Sequence, residues 1–505
     1  MRAPRADADS KVPLAEDALD PDPDPDPAPN LDRTPRTGTR TRTPRTTPRT
    51  APRTALVAPC AALLVALCAL PPGASAAALS DAPAAPAATA GTSAPAPTPP
   101  SPVPPSPVPS ALRPIDPAAF QSTVEKAAEQ LMVPGAVVLL RTPQGTSRAI
   151  VGTTERGTSQ RPTTADHFRV ASNTKTMTAA LVTLLAQDGR LRMGDPVSAY
   201  VDGVPDGDRI TVAQLLKMRS GLYNYTNAPE LADALDADPG KAVTPRQMLD
   251  IAFRHPPDFA PGTSYEYSNT NYVLLGLIAE KAGGSSLARQ FQDRLFTPLA
   301  LEGTSLPAAD ELSLPAPYSH GYMYGTTSYA LVDQPYPATM TAQARSGQLA
   351  PVDYTRQNPS YAFGAGNAVS TADDMAAWIR ALVRGEVLDA GSQKQWLDSP
   401  QAENPAAPDG QKYGYGIAYQ RFTPDAAMYY HGGELPGFNS FIGHDPDNDV
   451  TLVIWTNLTL SPDGRTTAQA LLPTVLNQIY AGLSLPTGPA PTPAPTPAPT
   501  PTRGP

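Results

Sequence analysis

The sequence predicts an α/β protein, an antiparallel sheet flanked by helices with an all-helical lobe inserted into it. Two observations carry this. Strand patterns stand at both ends of the central body, as a hairpin within 137–151 and as four successive alternating runs between 413 and 456. Between them, apolar residues recur at helical spacing over a long stretch.

The elements follow in order. Residues 118–132 read as an amphipathic helix, and 137–141 and 147–151 as strands joined by the turn Pro143-Gln144-Gly145. Phe168-Arg169-Val170-Ala171 then leads into a helical run carrying Met177, Leu181, Leu184 and Leu185, closed by Asp188-Gly189. Helices are expected over 211–218, 245–253 and 272–281, the last stopped by Gly283-Gly284, and over 371–383 with Trp378 on the apolar face. Strands at 413–420, 427–431, 440–445 and 450–456 come next, and 466–479 closes the body as a helix.

The two ends of the chain are of another kind. More than half of the 63 prolines fall before residue 115 or after 483. Such segments bury too little apolar surface to offset chain entropy and are expected to stay unfolded. Residues 1–76 read as a basic n-region and secretory signal: the apolar run 54–70 is short for a membrane span, and it ends in Pro71-Pro72-Gly73 and Ala74-Ser75-Ala76, with cleavage expected after Ala76. An uncleaved anchor is the alternative. Residues 77–114 form a Pro/Ala-rich linker, 115–482 the catalytic domain and 483–505 a Pro/Thr-rich tail. The product is expected outside the cell, in the medium or against the wall, without stable membrane insertion.

Net charge is −9, and residues 1–54 are close to neutral, so the body itself is acidic. That argues against nucleic acid as a partner. Cys60 and Cys68 both lie in the apolar run, leaving the body without a disulfide or a thiolate nucleophile. The five histidines (His167, His255, His320, His431 and His444) show no metal-ligand spacing, and neither metal nor cofactor is expected.

Three short motifs carry chemistry. Ser172-Asn173-Thr174-Lys175 places a lysine three residues after a serine, on one face of a helix. Burial would disfavour the ammonium, and the neutral amine could then take the serine proton. A helix starting at Ser172 would also aim a backbone N–H at a developing oxyanion. Tyr267-Ser268-Asn269 supplies a phenol for proton transfer and an amide for holding substrate. A second such triplet, Tyr225-Thr226-Asn227, is set aside because 261–269 feeds directly into a helix; Tyr225 is expected at the cleft rim. His431-Gly432-Gly433 ends an expected strand, where glycines would let a substrate backbone approach and the histidine would supply a donor. Taken singly, each motif is also what a helix start with a surface lysine, a packed tyrosine or a core histidine would give.

Taken together and in this order, the motifs resemble the serine β-lactamase and penicillin-binding family. Gly189-Arg190-Leu191, Asp195-Pro196-Val197, Ser220-Gly221-Leu222 and 366–371 extend the likeness over about 118–480. The chain looks most like the family's secreted D-alanyl-D-alanine carboxypeptidases, and is similar to class C β-lactamases, D-aminopeptidases and family VIII esterases. The resemblance implies that Ser172 is acylated, Lys175 is the base, Tyr267 carries the proton, and the N–H groups of Ser172 and Glu434 hold the oxyanion. It implies His431 beside them, with Asn269, Gly432, Gly433 and Glu434 binding substrate. Expected substrates are small peptides, peptidoglycan stems or esters, with β-lactams as acylating ligands. A catalytically inactive penicillin-sensing or wall-binding module is the alternative from another class.

One departure stands out. Where such carboxypeptidases carry hydroxyls and an arginine for the substrate carboxylate, this chain has Gly432, Glu434 and Gln420, with Arg421 adjacent as possible compensation. Like charges ~5 Å apart cost on the order of 3 kcal/mol at an effective dielectric of about 20. This favours an esterase or D-specific peptidase of the same fold.

Overall fold

The computed structural model describes residues 111–332 and 334–488. The signal expected over 1–76, the linker up to residue 110 and the tail beyond 488 lie outside the described residues.

Asp116 starts helix α1 (Pro117–Gln130): its carboxylate accepts the Ala119 N–H at 2.7 Å, and Pro117 sits in the first turn, where its missing N–H costs nothing. Phe120, Val124 and Ala128, a turn apart, make its buried stripe. The hairpin of β1 (Gly135–Thr142) and β2 (Gly145–Gly152) follows. The other six strands of the main sheet come from far down the chain: β3 (Gln401–Ala402), β4 (Lys412–Tyr413), β5 (Ala418–Thr423), β6 (Ala426–Leu435), β7 (Phe438–Asp445) and β8 (Val450–Thr456). Their order is β2-β1-β8-β7-β6-β5-β4-β3, antiparallel at every pairing. Val138 stands opposite Ile454, so the two ends of the body share one sheet and the middle of the chain is an insertion into it.

Four more long helices complete the frame: α2 (Thr174–Gln187), α3 (Asn269–Gly283), α4 (Ala372–Arg384) and α5 (Thr467–Ile479). Every residue of β7 and β8 is buried, as strands covered on both faces must be; α4 and α5 both pack on them. Helix α2 is buried from Thr174 to Leu185 with no exposed stripe, which makes it the central helix between sheet and lobe. Trp378 of α4 is tied to it, its Nε1–H donating to Thr176 Oγ1 at 2.8 Å. The lobe is built from Val212–Leu216, Pro229–Ala237, Pro245–Ala252 and α3, two of them started by capping boxes, Thr211 with Gln214 and Thr244 with Gln247.

Three boundaries differ from expectation in ways that matter for the site. The run 413–420 is broken into β4 and β5 by a turn in which Gly416 has φ 68° and no room for a side chain, since a Cβ would lie 2.7 Å from the Lys175 carbonyl oxygen. The run 427–431 continues to Leu435, because β7 pairs with it throughout. Helix α3 begins at Asn269 rather than 272, so the second motif is part of the helix start. Among the described residues no helix is long and apolar enough to cross a membrane.

Candidate active site

Phe168–Arg169 pairs antiparallel with Val369–Ser370, and the Val170 N–H donates to the Ala368 carbonyl at 3.1 Å. This locks the segment entering the first motif against the segment leaving 359–365. At Ala171 the chain turns sharply, with φ +53°, a conformation that costs a non-glycine residue about 1–3 kcal/mol and persists only where surrounding contacts enforce it. Ser172 follows in a 3₁₀ turn, Ala171–Asn173, that runs directly into α2. The expected α-helical start at Ser172 is therefore a tighter turn that leads into the helix.

Lys175, fully buried, points its Nζ at three oxygens: Ser172 Oγ at 2.9 Å, Asn269 Oδ1 at 2.7 Å and the Ala365 carbonyl at 2.7 Å. The orientation of the Asn269 amide is fixed from its other end, where Nδ2 donates to Thr226 Oγ1 at 3.1 Å. Two of the three neighbours, the amide and carbonyl oxygens, can only accept. Of these three partners only the Ser172 hydroxyl can also donate, so it is the one of them whose proton a neutral amine could take. The Tyr267 ring centre lies 4.9 Å from Nζ and the Tyr272 ring 5.7 Å from it.

His431 lies within β6, not at its end, with its ring 6.3 Å from that of Tyr267. Its Nδ1 is 2.6 Å from the Gly432 carbonyl and its Nε2 is 3.0 Å from the Tyr413 hydroxyl. A carbonyl only accepts, so Nδ1 carries the proton and Nε2 is the acceptor. Burial, and then the neighbouring Lys175 charge, lowers its pKa to about 3. The donor expected from this histidine is therefore already engaged by the backbone.

The two glycines do something other than admit substrate. A Cβ on Gly433 would lie 2.3 Å from the Val170 carbonyl oxygen and 2.9 Å from Asn173 Nδ2, so this glycine lets β6 touch the turn that carries Ser172. Gly432 faces the other side of the sheet, where Gln469 Nε2 would stand 2.7 Å from a Cβ. Glu434 shares the face of Gly432. Burial first, and the Glu434 charge after it, hold the Tyr336 hydroxyl well above its ordinary range.

Thus Ser172, Lys175, Asn269, Tyr267, His431 and Gly433 come together, while Gly432 and Glu434 flank them on the opposite face of β6. Tyr225 does not rim the cleft: it is fully buried, its hydroxyl donating to the Tyr361 carbonyl at 2.6 Å. Arg421 does not turn inward: it is exposed, donating to the Pro424 carbonyl and the Tyr419 hydroxyl. Strand alternation puts Gln420 inside instead, within 3.4 Å of the Tyr430 hydroxyl. Sequence reasoning missed Thr226, the Ala365 carbonyl and Tyr413. Of these only Thr226 left a trace, in the triplet set aside.

Residues 120–475 match the family described as Beta-lactamase. The chain belongs to the Beta-lactamase family. A penicillin-binding protein of Bacillus subtilis (strain 168) is 26% identical over 309 residues, covering 59% of this chain and 63% of that protein. This member of the Beta-lactamase family thus spans less than two thirds of the length of that relative. Among solved structures, a D-stereospecific amidohydrolase from Streptomyces sp. superposes with a TM-score of 0.61 at 29% identity, over 73% of this chain and all of that one. The D-amino acid amidase from Ochrobactrum anthropi SV3, complexed with D-phenylalanine, gives 0.60 at 25% identity over 72% of this chain and 98% of that one.

Proposed function

We propose that this chain is a secreted hydrolase that works through an acyl-serine intermediate on D-amino-acid substrates. The observation that carries the reading is Lys175 Nζ held 2.9 Å from Ser172 Oγ while its other two neighbours are obligate acceptors. In the proposed first half-reaction, Lys175 takes the Ser172 proton as Oγ bonds to the substrate carbonyl carbon. The N–H groups of Ser172 and Glu434 receive the oxyanion. The C–N or C–O bond then breaks, and Tyr267 passes the proton to the leaving group. Water repeats the sequence on the acyl-enzyme, releasing the acid and restoring Ser172. Secretion rests on the sequence of 54–76.

Between the two leaving-group classes, a specific observation favours amides and esters over peptides that end in a free carboxylate. Arg421 is committed to Pro424 and Tyr419, and Gly432 and Glu434 stand at the hydroxyl-bearing positions, so neither that arginine nor those hydroxyls receive a substrate carboxylate. The D-stereospecific amidohydrolase and the D-amino acid amidase support this choice by their similarity.

The test is intact mass spectrometry after incubation with D-phenylalanine amide, a D-aminoacyl ester, a D-Ala-D-Ala peptide and penicillin. Wild type is expected to carry an acyl adduct and Ser172→Ala none, with both showing the same far-UV spectrum. An adduct that persists in Ser172→Ala would overturn the nucleophile. Stable penicillin labelling without turnover of any of the other three would establish the sensing module instead.

A further inference from the structure

Tyr413 belongs to the outer strand β4, yet it reaches the middle of the site. It is buried, its ring packs edge-on to Tyr267 at 6.2 Å, and its hydroxyl meets His431 Nε2 at 3.0 Å. Beside it Tyr272 carries another buried hydroxyl. That hydroxyl gives its own hydrogen to the Leu216 carbonyl at 2.9 Å. With Nδ1 carrying the ring proton, His431 Nε2 has no hydrogen of its own and takes that of the Tyr413 hydroxyl. The groups facing His431 are Lys175 from α2, Tyr267 from the turn before α3, and Tyr413 from β4. Among the described residues only Tyr413 reaches a ring nitrogen with a donor.

We propose that Tyr413 is a positioning residue: by donating to Nε2 it holds His431 as the neutral Nδ1–H form, whose proton pins the Gly432 carbonyl and so fixes the part of β6 that adjoins the nucleophile turn. Beyond Tyr430 the β5 pairing ends, while the β7 pairing runs on to Leu435. The Tyr413–His431–Gly432 chain ties β6 to β4 just where the β5 pairing stops. Without the hydroxyl, Nε2 would be an unpaired buried acceptor, relieved by taking a proton or by turning the ring.

This rests on the reading of Ser172 and Lys175 as the acylating pair, and the experiment separates the two. The full-length enzyme, Tyr413→Phe, His431→Gln and the double variant are compared with a D-alanyl p-nitroanilide across the pH range, with thermal melts confirming folding. Tyr413→Phe is expected to lower kcat/KM about tenfold, the kinetic equivalent of one buried hydrogen bond, and to move the acid limb to higher pH. In the His431→Gln background the same change is expected to do nothing further. An equal loss in both backgrounds, or an unmoved acid limb, would overturn the proposal. Independently, ¹⁵N spectra of the histidine side chains are expected to show one ring with protonated Nδ1 and acceptor Nε2 down to about pH 5. Loss of that signature in Tyr413→Phe would support the assignment, and finding His431 protonated at Nε2 in the wild type would refute it. If wild type is never acylated at Ser172, the proposed function falls, and these spectra still decide the role of Tyr413.

Discussion

At the scale of single residues, the decisive arrangement is a lysine amine within hydrogen-bond reach of the Ser172 hydroxyl, the Asn269 amide oxygen and the Ala365 carbonyl. Lys175→Arg retains a cation but places a group there that stays protonated at any working pH. It is expected to cut the acylation rate by at least about a hundredfold, the lower end of what general-base removal costs, in stopped-flow assays; near-wild-type acylation would assign the base elsewhere. Glu434 invites a test of selectivity. The pair Gly432→Thr and Glu434→Thr is expected to raise kcat/KM for a D-Ala-D-Ala peptide relative to its amide, up to about a hundredfold if ~3 kcal/mol of repulsion is removed. The Gln469 amide is the flexible group that must move for the new threonine at 432. Equal changes on acid and amide would show that Glu434 does not sense the leaving group. What could be read in advance at this scale was what spacing encodes: three residues along a helix bring Ser172 and Lys175 together. The Ala365 carbonyl could not be read, because a main-chain oxygen has no residue type to announce it.

At the scale of elements, β6 and the turn 171–173 are in contact because Gly433 has no side chain. Gly433→Ala would set a methyl 2.3 Å from a backbone oxygen and 2.5 Å from Ser440 Oγ, so turn and strand must part. Overpacking of this kind costs about 1–3 kcal/mol. The expected result is a lowered melting temperature together with a loss of acylation greater than the loss of folded protein, because the movement falls on the nucleophile turn; a change in stability alone would mean that the turn relaxes without displacing Ser172. The same contact explains where sequence patterning stopped. Alternation is lost where glycines replace side chains, so 427–431 looked like a whole strand although β7 carries its pairing on to Leu435. The central helix α2 was legible for the opposite reason, since Met177, Leu181, Leu184 and Leu185 recur at helical spacing and Asp188-Gly189 stops the run. The pairing of β1 with β8 was not legible, because nothing local in either strand names a partner some 310 residues away.

At the scale of the whole molecule, folding excludes protons from two histidines. Burial and the Lys175 charge hold His431 to about 3, and burial chiefly holds His444 to about 4, while in the unfolded chain each titrates near its ordinary value of about 6.5. Below about 6.5 the unfolded state binds protons that the folded state refuses, so stability must fall with pH through that window and go on falling to the folded values. Each histidine contributes a slope of up to about 1.4 kcal/mol per pH unit. Asp374, Asp445 and Glu403 act in the opposite sense, since burial raises their carboxyl pKa values and the fold takes up their protons before the unfolded chain does. A wild-type curve therefore mixes both signs, and a difference is the cleaner measurement. His444 sits in β7, its Nδ1 2.9 Å from Thr451 Oγ1, outside the chemistry. Urea unfolding of wild type and His444→Gln from about pH 4.5 to about 8 is expected to give parallel curves above 7. Below about 6.5 the wild type should lose stability faster, by up to the slope of one proton. Curves that stay parallel throughout would mean that His444 is protonated in the fold, with Asp449, 3.9 Å from its Nε2, strong enough to overcome the burial.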